Sequence, residues 1–117
     1  MHNAEPRMVT VQRFAAVIAL QPGMEQVYRE LHSEVWPSVL QTLKRAHIRN
    51  YSIFLRDGLL FSYLEYTGED YGADMAAIAN DENTRQWWKL TDPCQQKVVT
   101  ANDAEWWAPA EELFHLD

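Results

Sequence analysis

The chain has 117 residues, of which 47% are hydrophobic and 23% charged, and it carries a formal net charge of -7. That length and balance fit one globular domain, and the acidic charge, with ten Lys and Arg scattered rather than gathered in a stripe, argues against nucleic acid or an anionic membrane surface as a partner. The longest apolar runs, such as Phe14 to Leu20, fall far short of the roughly 20 residues that span a bilayer.

Residues 1–9 read as a polar leader with one proline and no periodicity. This leader is expected to be a flexible tail ahead of a single domain over 10–117; it lacks the apolar core of a signal peptide, and Met8 offers a second possible start. From about Val11 to Leu20 the run VQRFAAVIAL has the two-sided apolar character of an interior strand, ending at the turn signal Gln21-Pro22-Gly23.

Met24 to about Ala46 has helical periodicity, with Val27, Leu31, Val35, Val39 and Leu43 as the apolar stripe. Tyr28, His32 and Trp36, spaced four apart, lie beside it on one face, so a phenol, an imidazole and an indole address the same space. Pro37 removes a backbone donor and crowds the preceding turn, which predicts a kink or a break near Trp36.

Ile48 to Arg56 alternates, with Tyr51, Ile53 and Leu55 on one side and Asn50, Ser52 and Phe54 on the other. Asp57-Gly58 then predicts a hairpin turn into a partner strand over Leu59 to Tyr66. A helix is predicted from about Tyr71 to Asn80, a break at Asn80 to Asn83, and a short helix from about Thr84 carrying Trp87, Trp88 and Leu90, limited by Pro93. The tract from Ala101 to Glu111 has no clear period, and its Trp106-Trp107 pair reads as either a lid or an interface. Leu113 to Leu116 is apolar enough for a closing strand.

The resulting order, β, α, β, β, α, β, is the ferredoxin-like arrangement of an α+β domain, an antiparallel sheet with its helices on one face. The other face needs a cover. In a chain of this size a second copy supplies it, so a homodimeric α/β barrel is expected.

His32 is the leading candidate for chemistry, because an imidazole ordinarily gives and takes protons near neutral pH, and Tyr28 one turn earlier can share the proton path. A surface or satisfied core position is the plainer reading of any single helix histidine. Trp87 and Trp88 can stack on the apolar face of a sugar ring, or they can be core or dimer contacts; adjacent helix positions point about 100° apart, so one ring is expected to line a pocket and the other to pack beneath it. Tyr51 either reaches the same cavity or fills the sheet.

No metal is expected, since His2, His32, His47 and His115 form no pair at ligand spacing and Cys94 is the single cysteine. That lone thiol cannot make an internal disulfide, which is compatible with the cytoplasm, where the protein is placed. A Gly-rich phosphate loop and a nucleophile elbow are both absent from the sequence, which disfavours nucleotide cofactors.

Four motifs resemble the L-rhamnose mutarotase family: Tyr28-x-x-x-His32-x-x-x-Trp36-Pro37, Asn50-Tyr51-x-Ile53, Arg85-Gln86-Trp87-Trp88-Lys89 and Glu112-Leu113-Phe114-His115-Leu116. Together they cover the chain from about Val11 to its end. The first and third are specific in combination and weak alone. The resemblance implies a small dimeric enzyme of the ferredoxin-like barrel type that interconverts the α and β anomers of a free 6-deoxy-L-sugar without a cofactor. It puts the proton donor on His32 and the sugar contacts on Tyr28, Tyr51, Trp87 and Trp88. The leader over 1–9 is longer than the family usually has, and Ser33-Glu34-Val35 departs from the residues often found there, which leaves L-fucose beside L-rhamnose as substrate.

Two other classes share these features. A cofactor-independent monooxygenase or haem-handling protein uses the same barrel, and a non-catalytic sugar-binding module can use the same aromatic residues.

Overall fold

The computed structural model describes residues 10–117; the expected tail over 1–9 lies outside the described residues. Strand β1 (Gln12–Leu20) leads through Gln21-Pro22-Gly23 into helix α1 (Glu25–Ser33), and α2 (Pro37–Arg45) follows. The break predicted at Pro37 is present: α1 ends at Ser33, Trp36 is extended at φ -58 and ψ 131, and Pro37 opens α2 at a position where its missing N–H has no helical partner to lose. Strands β2 (Ile48–Arg56) and β3 (Leu59–Tyr66) form the hairpin, with Asp57 and Gly58 both at positive φ, 51° and 75°, as a type I′ turn requires.

Helices α3 (Tyr71–Asn80) and α4 (Glu82–Thr91) are separated by one residue, Asp81, whose carboxylate accepts from the Thr84 amide at 2.9 Å and starts α4. A 3-10 turn over Asp92–Cys94 leads to the short strands β4 (Gln95–Gln96) and β5 (Ala108–Ala110).

The antiparallel sheet runs β2-β3-β1-β4, and β5 also pairs with β1. The edge beside β1 is thus assembled from two short pieces, β4 against Ala19 and Leu20 and β5 against Ala15 to Val17. This corrects the closing strand expected at Leu113 to Leu116. With Ala110 opposite Ala15, the chain reaches Arg13 at Glu112, where a 2.7 Å ion pair forms, and Leu113 is already level with Gln12, the first residue of β1, so Phe114 to Leu116 lie past its end. Leu113, Phe114 and Leu116 are exposed.

A bulge in β2 determines which side chains meet the helices. The register gains one residue between Arg49 and Ser52, and Asn50 takes the left-handed conformation there at φ 48°, which asparagine tolerates better than most residues. The extra residue lets buried Ile48 face the helices along with Ile53 and Leu55. Without it, Ile48 and Ile53, an odd number of positions apart, would face opposite ways.

Two apolar clusters form the core. One holds Ile18, Leu20, Tyr28, Leu60 and Cys94, and the other Ala46, Ile48, Tyr66 and Ile78. The buried residue of α1 is Tyr28, whereas Val27, expected in the apolar stripe, is 42% exposed. Helical periodicity located the buried face but missed its centre by one residue. On the opposite sheet face Phe54 and Phe61 are cross-strand neighbours and both are exposed, so this face carries apolar surface that the described residues leave uncovered.

Candidate active site

Between the helix layer and the sheet lies a cleft in two lobes. One is a cavity of about 540 Å³ and the other of about 380 Å³, and Tyr28, His32, Tyr51, Ile53 and Trp87 line both. Trp88, Trp106 and Trp107 add walls to the smaller lobe, and Val35, Leu40 and Leu43 to the larger. The structure therefore gathers all five residues singled out as site candidates, Tyr28, His32, Tyr51, Trp87 and Trp88, around one space. Trp36 is not among the lining residues; it sits beyond the end of α1 and meets Trp87 edge-on, ring centroids 5.3 Å apart. The helix break explains this, since the four-residue spacing holds one face only while the helix continues.

His32 is held on three sides. Its ring stacks on Tyr28, with centroids 4.1 Å apart and planes 28° apart, and the edge of Trp87 lies against it at 5.5 Å. Its Nδ1 lies 2.9 Å from the backbone oxygen of Tyr28. A carbonyl oxygen can only accept, so Nδ1 carries the hydrogen and donates it. In neutral imidazole Nε2 is then the nitrogen with the free lone pair; in imidazolium Nε2 holds the transferable proton. Either way, Nε2 is the ring nitrogen that the contact with Tyr28 leaves available.

Tyr28 is 5% exposed, and burial pushes its hydroxyl up to about 12, against an opposing hydrogen bond from Gln95. It is a neutral phenol at physiological pH. The Gln95 amide nitrogen donates to the Tyr28 oxygen at 3.2 Å, and the Trp106 indole nitrogen donates to the Gln95 amide oxygen at 3.0 Å. Asp92 lies at the same end of the cleft, its carboxyl raised by burial and lowered in part by the Trp106 N–H.

The two tryptophans of α4 divide as their spacing predicts in exposure but not in role. Trp87 is 6% exposed and Trp88 39%, yet both line the cleft. Tyr51 projects from β2 immediately after Asn50, the left-handed residue of the bulge, so the bulge aims it at the helices. Trp106 and Trp107, left open as lid or interface, both wall the smaller lobe. Gln95 and Asp92 were not singled out in the sequence. Gln95 meets Tyr28 across 67 residues of chain, and no local spacing announces such a pair.

A family model described as L-rhamnose mutarotase matches residues 13–116. The L-rhamnose mutarotase of Burkholderia ambifaria is 36% identical over 112 residues, covering 91% of this chain and 99% of that protein. That of Opitutus terrae is 34% identical over 107 residues, covering 90% and 98%. Among solved structures, the L-rhamnose mutarotase of Formosa agariphila superposes with a TM-score of 0.70 at 26% identity, over 91% of this chain and 99% of that one. The tetracenomycin F2 cyclase of Streptomyces glaucescens superposes with a TM-score of 0.65 over 91% of this chain and 97% of that one; at 9% identity it shares the fold alone.

Proposed function

Because the chain belongs to the L-rhamnose mutarotase family, we propose that it is an aldose 1-epimerase that interconverts the α and β anomers of L-rhamnose, with His32 as the proton-transfer group. The observation that carries the reading is the cleft itself: an imidazole whose Nδ1 is committed to a carbonyl, set among a buried phenol and two indoles suited to the face of a pyranose.

Ring opening needs a proton on the ring oxygen and loss of one from the anomeric hydroxyl. In this account the His32 imidazolium gives its Nε2 proton to the ring oxygen, the bond from C1 to that oxygen breaks, and the anomeric O–H proton passes to a bound water and on to solvent, with the Tyr28 hydroxyl hydrogen-bonded to the sugar, to yield the open-chain aldehyde. Rotation about C1–C2 presents the other face of C1. Reclosure then runs the same transfers backwards, and neutral His32 recovers its proton from the hydroxyl that re-forms the ring. Tyr51, Trp87 and Trp88 hold the sugar.

Acid–base catalysis of the ring opening and closure is all the reaction needs, and each well-placed acid or base contributes about 10² to 10⁴ in rate, which suits a reaction that already proceeds in water.

A second copy covers the open sheet face; the support is the exposed Phe54 and Phe61 pair and the apolar Leu113, Phe114 and Leu116 at and beyond the end of β1. Placement in the cytoplasm rests on the single free thiol, Cys94, buried in the core. Among the described residues no helix is long and apolar enough to cross a membrane.

Polarimetry tests the substrate. Freshly dissolved α-L-rhamnose should reach its equilibrium rotation faster in proportion to added protein, with a D-sugar control unaffected. Acceleration with L-fucose alone would reassign the sugar, and no acceleration with either would end the enzyme reading.

A further inference from the structure

We infer that Gln95, oriented by the indole of Trp106, is a positioning residue that keeps the hydroxyl proton of Tyr28 available to the sugar. The inference rests on the mutarotase reading and adds to it a device for fixing the direction of one hydrogen bond.

Indole Nε1–H can only donate, so the Gln95 atom 3.0 Å from it must be the amide oxygen. A flipped amide would set N–H against N–H. The amide nitrogen therefore faces Tyr28 and donates to its oxygen at 3.2 Å. With that oxygen accepting, the phenol's own hydrogen lies elsewhere, and among the described residues it has no protein acceptor. Tyr28 lines both lobes of the cleft, so a sugar oxygen is the acceptor the geometry leaves for it.

Gln95 is 4% exposed, which shields the pair from water that would otherwise scramble the orientation.

The same shape with reversed polarity provides the test. In Gln95→Glu the ionised carboxylate still accepts from Trp106 but must also accept from Tyr28, consuming the proton. Such a charge-assisted bond should lower kcat by about 10- to 100-fold near neutral pH, with a smaller change in KM. Protonating the new carboxyl restores one donor and one acceptor, so the ratio of variant to wild-type kcat should climb as pH falls from about 8 to about 5, the range into which burial lifts a glutamate. Gln95→Met, which imposes no acceptor on Tyr28, should retain more kcat than Gln95→Glu.

A ratio that stays flat with pH, or equal losses in the two variants, would reduce Gln95 to a packing residue and overturn the inference. If Gln95→Glu does not fold, Trp106→Phe reads the same device. It frees the amide to flip and should lower kcat by more than it raises KM while far-UV circular dichroism holds, whereas an unchanged kcat would overturn the inference. Wild-type protein without anomer exchange is the separate result that would defeat the mutarotase reading itself.

Discussion

Replacing Tyr28 with Phe removes one oxygen from the centre of the molecule and leaves the ring free to stack on His32. The lost partner is the Gln95 amide, 3.2 Å away in wild type, on a side chain only 4% exposed. Stranding a buried donor costs about 1–3 kcal/mol, a fall in Tm of roughly 4–12 °C for a domain of this size.

A second signature is specific to the phenol. Its folded value of about 12 stands above the ordinary 10.0, so folded and unfolded chains are both protonated below about pH 10 and stability is complete there. As pH rises from about 10 toward about 12 the unfolded chain ionises first and stability declines, by about 2–3 kcal/mol at full titration. Tyr28→Phe should lack this share of the alkaline loss, although Tyr66 and Tyr71, also raised by burial, keep theirs. Thermal unfolding at about pH 7 and about pH 11, together with anomer exchange, checks all of it. Equal Tm at neutral pH and an unaltered alkaline profile would refute the Trp106–Gln95–Tyr28 chain as described.

Two further outcomes follow from other parts of the fold. The Asp74 carboxyl is held below its ordinary value by the Tyr66 hydroxyl and then by His47, so its contribution is present above the unfolded carboxylate range and disappears as pH falls through the folded value. In acid unfolding, Asp74→Asn should therefore be weaker than wild type near neutrality and converge with it in strong acid; a constant gap at every pH would contradict this. Charging the open sheet face with Phe54→Asp and Phe61→Asp should shift sedimentation velocity from dimer to monomer without loss of the fold, and a wild-type monomer would remove the second copy from the account.

Much of this architecture is legible in the sequence because it is written in short-range signals. Asp57-Gly58 specifies the turn through two positive φ angles, Pro37 forces the helix break, and the spacing of Tyr28 and His32 survives because both fall within α1. The closing edge was not legible. Strands of two and three residues, one containing Pro109, carry no periodicity, and the more apolar Leu113 to Leu116 drew attention that the register of β5 on β1 denies it. The polar half of the site was hidden for another reason. Gln95 acquires its role from Tyr28 and Trp106, partners brought to it by the sheet and the 3-10 turn, and glutamine has no pattern of its own to read.

The central claim is that proton transfer at His32 drives anomer exchange. Inverting the α anomeric proton of L-rhamnose at equilibrium and following its transfer to the β signal measures that exchange directly, for wild type and for His32→Ala. Wild type should give exchange proportional to protein concentration, and the variant, folded by circular dichroism, should lose about 10² to 10⁴ of it. Wild-type exchange rates from folded His32→Ala would contradict the account and require another acid.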